Sequence, residues 1–422
     1  MIFKCRLAGR RQAESIGTAP DAWGDAAAER RGLSIKMRLR LLSIGHSYCV
    51  GMNRKLPQWM ARLGDSRWEV VVVAPSAYPG DLSPIATALE PGELCEVRTV
   101  PVHFTKQVHV FLYSRALRSL LAEHWDMVHV WEEPFIFAGG QIAAWTPLKI
   151  PLVYYTCQNI AKQYPTPFRE IENFCFRRAA GWLAMGQTTL ATQMARGFSE
   201  KPCEVVPPCV DPDTFRPDAS ARSAVVRKLG WEDDTLPVIG FAGRFVAEKG
   251  LKVMMSALDR IRTPWRAMFL GGGPLGAEVL AWGERYPDRV RVVTGISHHE
   301  VPAYLNAMNV LCVPSQTALN WREQFGRVIA EAFSCGVPVI GSDSGEIPYV
   351  VGDDGIVVRE GDVQGWAQSI EGLLLDEQRR RKLGERGREA ALSRYSCRAV
   401  AHRHLEFFEQ ILQRRSADNH RV

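Results

Sequence analysis

From Met37 onward, short apolar runs alternate with Gly- or Pro-punctuated stretches and amphipathic segments. The runs are Leu39 to Ile44, Trp68 to Ala74, Glu96 to Val102, Met127 to Trp131, Leu152 to Thr156, Trp182 to Met185 and Glu204 to Val206. Their near-continuous Val, Ile and Leu content predicts strands buried on both faces, with helices between most of them. Such a sheet is parallel and doubly wound. Val205 to Pro217, "VVPPCVDPDTFRP", then carries four prolines and neither helical nor strand period, which predicts a semi-rigid hinge. A second series follows: Val238 to Ala242, Ala267 to Leu270, Val290 to Thr294, Val310 to Val313, Pro338 to Gly341 and Gly355 to Val358. The pattern predicts an α/β chain of two Rossmann-like halves whose carboxyl-edge loops face one another across a cleft, where open sheets of this kind bind ligands.

The expected organisation is a leader over 1–36, a first Rossmann-like domain over 37–214, a second over 215–395, and a terminal helix over 396–422 packing back toward the first. The leader has mixed charge and no period, and reads as disordered or as an upstream start ahead of Met37.

Composition narrows the partners. The net charge is +6, and the leader supplies half of it, with seven Lys or Arg against four Asp or Glu. The body is mildly basic, without a Lys/Arg stripe interleaved with aromatics. This favours an anionic small molecule or a membrane surface over nucleic acid. Ten cysteines are scattered with no Cys-x-x-Cys pair, which suits a reducing cytoplasm. His298 and His299 are adjacent, a poor spacing for two ligands of one metal. No apolar run is long enough to span a bilayer, so the expected location is cytoplasmic, with a peripheral position on the inner membrane face left open.

Chemistry concentrates in the second half. In "GFAGRFVAEKGLKVMM", Gly240 to Met255, Gly243 allows a tight turn, and Arg244 and Lys249 sit beside a strand-to-helix junction. Arg offers a planar fork and Lys a mobile point charge, which together suit a diphosphate; a surface ion pair is the alternative for either alone. "FLGGGPLG" brings glycines around Gly272 that permit close approach to backbone, and the loop around Ile296 can hold a base edge through main-chain groups. Glu323 and Glu331 lie eight positions apart in "NWREQFGRVIAEAFSCGVPVI", before and inside a helix expected from Gly326. A helix amino terminus there would aim its N–H groups at the same cleft edge.

Gly243-Arg244, Glu248-Lys249-Gly250, Gly271 to Pro274, Pro314-Ser315, "EQFGRVIAEAFSCGVPVI" and "SGEIPYVV" stand in the order that resembles retaining GT-B glycosyltransferases of family four. The likeness covers most of 37–415, including "YTCQNIAKQYPTPF", and is more specific in the second half. It implies a GT-B fold and transfer of a sugar from a nucleotide-diphosphate sugar to a glycan, lipid-linked or small-molecule acceptor. By it, Arg244 and Lys249 would hold the diphosphate, Glu323 the transferred sugar and Glu331 the ribose. Phe325, Gly326 and Arg327 would line the sugar and phosphate pocket, and Gly45 and Gly51 would approach the donor phosphate. Arg54, Glu132 and Asn159 are the acceptor-side candidates, Arg54 against a helix-surface alternative and Glu132 against a structural cap. One departure stands out: "VHVWEEP" has Trp131 and Glu132 where many members carry His-Glu-Pro.

The resemblance also implies retention of anomeric configuration. With no metal-ligand cluster beside the cationic pair, the expected chemistry is metal-independent, and a departing phosphate that takes the acceptor proton needs no protein base. A binding-only sugar-nucleotide protein, or an epimerase or phosphorylase on the same fold, are the alternatives. No pyridoxal lysine setting is evident for a phosphorylase.

Overall fold

The computed structural model describes residues 38–79, 84–231 and 236–419. The expected leader and the extreme carboxyl terminus lie outside them.

Seven strands form the first sheet: β1 (Leu39–Ile44), β2 (Trp68–Pro75), β3 (Glu96–Val100), β4 (Met127–Val130), β5 (Leu152–Thr156), β6 (Gly181–Ala184) and β7 (Cys203–Val205). They are parallel throughout, in the order β7-β6-β5-β4-β1-β2-β3. Six form the second: β8 (Val238–Ala242), β9 (Arg266–Leu270), β10 (Val290–Val293), β11 (Val310–Val313), β12 (Val339–Ser342) and β13 (Ile356–Val358). Their order, β10-β9-β8-β11-β12-β13, repeats the same winding, also all parallel. In each sheet the order reverses beside its first strand, and the loops that follow β1 and β8 therefore open at a switch point.

Burial on both faces explains the continuous apolar runs. Leu42, Ile44, Val71 and Val73 pack into one core of the first half, while their neighbours Leu41, Val70 and Val72 pack into another on the opposite face. The second sheet alternates likewise, with Met268 and Leu270 on one side and Ala267 and Phe269 on the other. Each such large side chain contributes about 1.5–3 kcal/mol on leaving water.

Two small ribbons were not expected. Ala77–Pro79 pairs with Pro84–Ala86, and Val102–His103 pairs with Leu112–Tyr113, both antiparallel. The run expected to continue from Glu96 to Val102 breaks because Pro101 has no N–H to donate to the ladder, and the chain peels away into the second ribbon.

The chain crosses between the halves twice. Val210, on the proline-rich segment, donates to Tyr395 O at 2.8 Å and accepts from Cys397 N at 2.9 Å, and it bridges Ser396 in parallel. Beyond this point a helix, Cys397–Asn419, returns to the first half. Its Val400, Ala401, Leu405, Phe408 and Ile411 are buried in the core that contains Leu56 and Met60 of the helix Gly51–Leu63.

Under the returning helix lies a buried polar cluster. The His129 and His404 rings are 5.5 Å apart, and His129 Nδ1 meets Ser43 Oγ at 2.9 Å. Among the described residues, Nε2 of each histidine and the Tyr155 hydroxyl have no hydrogen-bond partner. Burial holds the His404 pKa down at about 4 and that of His129 well below its ordinary value, so both rings are neutral in the folded state. A histidine with a depressed folded pKa contributes stability that is complete above the unfolded pKa near 6.5 and is lost as pH falls toward the folded value. The free energy of unfolding should therefore drop between pH 6.5 and 4, by an amount on the order of 3 kcal/mol for His404 alone, and the melting temperature with it. His404→Phe should flatten that descent in a calorimetric pH series, and a variant with the wild-type acid slope would contradict the assignment.

Candidate active site

Polar contacts join the carboxyl-edge loops of the two sheets. Arg327 reaches from the second half with both guanidinium nitrogens 3.3 Å from Asn53 Oδ1. The Asn159 amide donates to Glu323 O at 3.0 Å, and the Gln324 amide donates to Cys157 O at 2.9 Å. Glu346 also crosses from the second half. Its carboxylate accepts from Gln187 N at 2.6 Å, Thr188 N at 2.8 Å and Thr188 Oγ1 at 2.6 Å, capping the helix Gln187–Ala195 of the first half. A Cβ on Gly186 would lie 2.2 Å from that carboxylate carbon, so only glycine admits the approach.

In the second half, β8 runs into the loop of Gly243 and Arg244, then a single turn, Ala247–Lys249, then the helix Leu251–Leu258. Gly250 joins turn to helix at φ +70°, and a Cβ there would stand 1.7 Å from Pro314 O. This contact presses the Lys249 loop against the Pro314-Ser315 segment. Lys249 Nζ meets Glu323 Oε2 at 2.5 Å, and Ser315 Oγ donates to the same oxygen at 2.9 Å. The ammonium also stands 5.1 Å from the Trp321 ring centre. Arg244 is exposed and has no ion pair among the described residues. The two cations expected to act together are thus held differently, one fixed by a buried acid and one free to swing.

Glu331 lies within the helix Arg327–Ser334, whose first turn follows Gly326 at φ +76°. Burial raises its pKa to about 7, with Arg327 opposing the rise. It lines a cavity of about 310 Å³ with Gly51, Met52, Lys55, His298 and His299. Gly51 and Glu331 therefore face one space from opposite halves. Gly272 is open to solvent space, Ile296 packs on the second-half core, and the Phe325 ring is buried against Tyr395. Phe325 can reach a ligand only through its main chain.

The acceptor-side residues are placed otherwise than expected. Arg54 is fully buried, not on a helix surface: its guanidinium donates to Glu93 Oε1, Tyr48 O and Ala88 O, which leaves it no reach to a ligand. Asn159 spends its amide donor on the Glu323 carbonyl and so positions the acidic segment. The Glu132 side chain is wholly buried, and both oxygens are engaged by His46 and Tyr113. Gly45 is pressed against Trp131, where a Cβ would lie 3.1 Å from the tryptophan Cβ. Sequence reasoning gave no role to His46, Ser315 or Glu346. The last sits in the quoted "SGEIPYVV", but its partner Gln187 is 159 positions away.

The sequence over Ile160 to Arg178 is open to two readings, an aromatic and basic face for anionic lipid headgroups or, the favoured one, a helix that packs its aromatics inward and exposes its charges. Tyr164 stacks on Phe135 at 4.2 Å, and Phe168 lies 5.6 Å from Phe137, as in the second. Both rings turn inward onto aromatic side chains at the start of the helix Phe137–Trp145; Phe174 remains 38% exposed.

The family models "Glycosyltransferase Family 4" and "Glycosyl transferases group 1" match residues 51–214 and 226–390, one on each half. The chain belongs to the family four, group 1 glycosyltransferases. A D-inositol 3-phosphate glycosyltransferase from Xylanimonas cellulosilytica is 37% identical over 50% of this chain and 52% of its own length. A GDP-mannose-dependent alpha-(1-6)-phosphatidylinositol monomannoside mannosyltransferase from Mycolicibacterium smegmatis is 34% identical over 46% and 53%. The chain spans about half the length of the curated relatives it matches. Among solved structures, sucrose-phosphate synthase from Thermosynechococcus elongatus superposes with a TM-score of 0.69 at 20% identity, covering 89% of this chain and 100% of that one. Anabaena HepE in complex with UDP and glucose gives 0.68 at 18%, covering 88% and 100%. The fold of this family member is GT-B. Among the described residues no cluster of potential metal ligands occurs, and no helix is long and apolar enough to cross a membrane.

The Lys249–Glu323 pair sets a stability test. Removing one partner strands the other charge in a largely desolvated place, whereas removing both does not. Lys249→Met should cost about 2 kcal/mol in denaturant unfolding, and Lys249→Met with Glu323→Gln should recover most of it. Strictly additive losses would show that the two side chains are not coupled.

Proposed function

We propose that this chain is a retaining glycosyltransferase that moves a sugar from a nucleotide-diphosphate sugar to a hydroxyl-bearing acceptor in glycoconjugate synthesis. The observation that carries this reading is the Lys249–Glu323 ion pair, with Arg244 on the same loop after β8 and Glu331 on the helix that follows Glu323, across one cavity from Gly51 of the first half. Breaking a sugar–phosphate bond builds negative charge on the departing diphosphate and positive charge on the anomeric carbon. A fixed ammonium and a mobile guanidinium meet the first, and preorganised charge of this kind acts most strongly where water is excluded. Glu323, held by Lys249 and Ser315, offers its remaining oxygen to sugar hydroxyls, and Glu331 offers an acceptor to ribose. The names of the relatives supply the class of substrate, sugar nucleotides as donors and inositol-bearing polyols as acceptors, and the cleft carries groups suited to both.

Metal independence is part of the proposal, because two cations beside the acidic motif do the work a divalent ion does elsewhere. Arg244→Ala should lower turnover of GDP-mannose or UDP-glucose at least tenfold, about 1.4 kcal/mol in the barrier, with folding intact. Wild-type turnover should persist in excess chelator. Unchanged rates in the variant would remove the diphosphate role from Arg244, and abolition by EDTA with rescue by magnesium or manganese would overturn metal independence.

A peripheral membrane contact is also proposed, on a different surface from the inward-facing aromatics. Arg177, Arg178, Lys201, Arg414 and Arg415 line one groove of the first half, near the exposed Leu148 and Phe174. Cations flanking apolar side chains suit an anionic bilayer surface. Sedimentation with phosphatidylglycerol vesicles at low salt should be lost as salt rises. Equal recovery in the supernatant with and without vesicles would leave a soluble acceptor.

A further inference from the structure

The two passages of the chain between its halves touch through main-chain hydrogen bonds, Val210 N to Tyr395 O at 2.8 Å and Cys397 N to Val210 O at 2.9 Å, in a parallel bridge of Val210 with Ser396. Each bridging residue has a cysteine beside it, Cys209 on the outward passage and Cys397 on the return. Both cysteines line the same cavity of about 310 Å³, together with Lys55 and Asp211. The Cys397 thiol is hydrogen-bonded to the Cys209 sulfur, and both are free thiols in this structure. Residues far apart in sequence thus bring two sulfurs together at the point where the passages are already joined.

The two sulfurs are not equivalent. Cys397 is 1% exposed, whereas Cys209 is partly exposed, so a solute entering the cavity reaches Cys209 first. The hydrogen bond to Cys209 holds the Cys397 pKa well above its ordinary value; burial and the charges of Cys209 and Asp211 add to this, and Lys55 opposes it. Cys397 therefore keeps its proton and donates it, and Cys209 is the sulfur that accepts. An accepting sulfur on an open cavity with a lysine nearby is placed to attack, and a buried thiol in contact with it is placed to resolve the product. Packing accounts for a single buried cysteine, but it does not call for two of them sulfur to sulfur.

We propose that Cys209 and Cys397 are a site of reversible oxidation by a low-molecular-weight disulfide of the glutathione class, and that the bond formed fastens the two passages to each other. The Cys209 thiolate attacks one sulfur of the small disulfide, which forms a mixed disulfide and expels one thiolate. Cys397 then gives up its proton to that leaving thiolate and attacks the Cys209 sulfur, breaking the mixed disulfide; the second small thiolate leaves and takes the proton that Cys209 had released. Two protein S–H bonds and one reagent S–S bond are exchanged for one protein S–S bond and two reagent S–H bonds, and two electrons pass to the reagent. In a reducing pool the exchange runs backward and restores the thiols. The loop so closed contains the whole second sheet from β8 to β13, and the bond constrains the unfolded chain far more than a folded one in which the sulfurs already meet. The site goes beyond the transferase reading and does not rest on it.

The test treats the folded full chain with oxidised glutathione, quenches with acid and maps the unreduced peptides by mass spectrometry. The wild type should lose two hydrogens and yield a peptide pair joined through Cys209 and Cys397, which dithiothreitol separates. Cys397→Ser should stop at a glutathione adduct on Cys209, and Cys209→Ser should take up no glutathione at the buried Cys397. The oxidised wild type should unfold at a higher denaturant concentration than the reduced form, and neither serine variant should show that shift. An adduct on Cys209 of the wild type without the cross-link would overturn the site, and an adduct on Cys397 in Cys209→Ser would overturn the order of attack. A cross-link with no upward shift in the midpoint would overturn the fastening. The wild-type peptide map decides the site even where a variant does not fold, and no readout depends on sugar transfer, so failure here leaves the transferase reading standing.

Discussion

Two sheets in one chain can share a binding edge only if the chain passes between them without forcing them apart, and here it passes twice through one point. Val210 on the outward crossing and Ser396 on the return are bridged by backbone hydrogen bonds. The prolines before the first crossing limit its conformations, and the long helix after the second is anchored in the core of the opposite half. This shared pivot fixes which loops can meet. Because all strands in both sheets are parallel, every loop at their carboxyl ends is delivered to the same side, and the pivot turns those two sides toward each other.

The strands were legible because burial on both faces leaves an unbroken apolar signature that needs no knowledge of partners. Leu39 to Ile44 and Val238 to Ala242 could be bounded to the residue for that reason. The ribbons at Ala77–Pro79 and Val102–His103 were not, because strands of two or three residues are too short for a period to show. The proposed donor residues could be picked out for a similar reason: Arg244, Lys249, Glu323 and Glu331 sit in local segments whose order can be read along the chain. The acceptor side was read poorly. Arg54 has the composition of a surface cation, and only the fold reveals Glu93, 39 positions away, as its buried partner. Glu132 and His46 are 86 positions apart, and no local pattern joins them.

The two cations of the loop after β8 illustrate how one charge can be given two mechanical roles. Lys249 is restrained by an acid, a serine and an aromatic face, so its position is paid for in folding. Arg244 remains exposed, and its ordering must be met when a ligand arrives. The arrangement divides the cleft wall into a rigid component and a flexible one, which under the proposed function would set where a diphosphate lies and adapt to its length. Glu323 belongs to the rigid component through both its side chain and its main chain, since Asn159 of the other half holds its carbonyl.

The carboxylate of Glu346 at the start of the helix Gln187–Ala195 has a consequence for how this cleft is inherited. A negative charge on a helix amino terminus is favourable by both hydrogen bonding and dipole, but here acid and helix belong to different halves and meet through a gap that only Gly186 leaves open. Neither position is free to drift alone. A side chain at 186 would push the acid away, and loss of the acid would leave the helix end uncapped. The two halves are therefore a poor choice for exchange with those of another protein of the same fold unless glycine and glutamate travel together, because the seam between them is written in a residue from each.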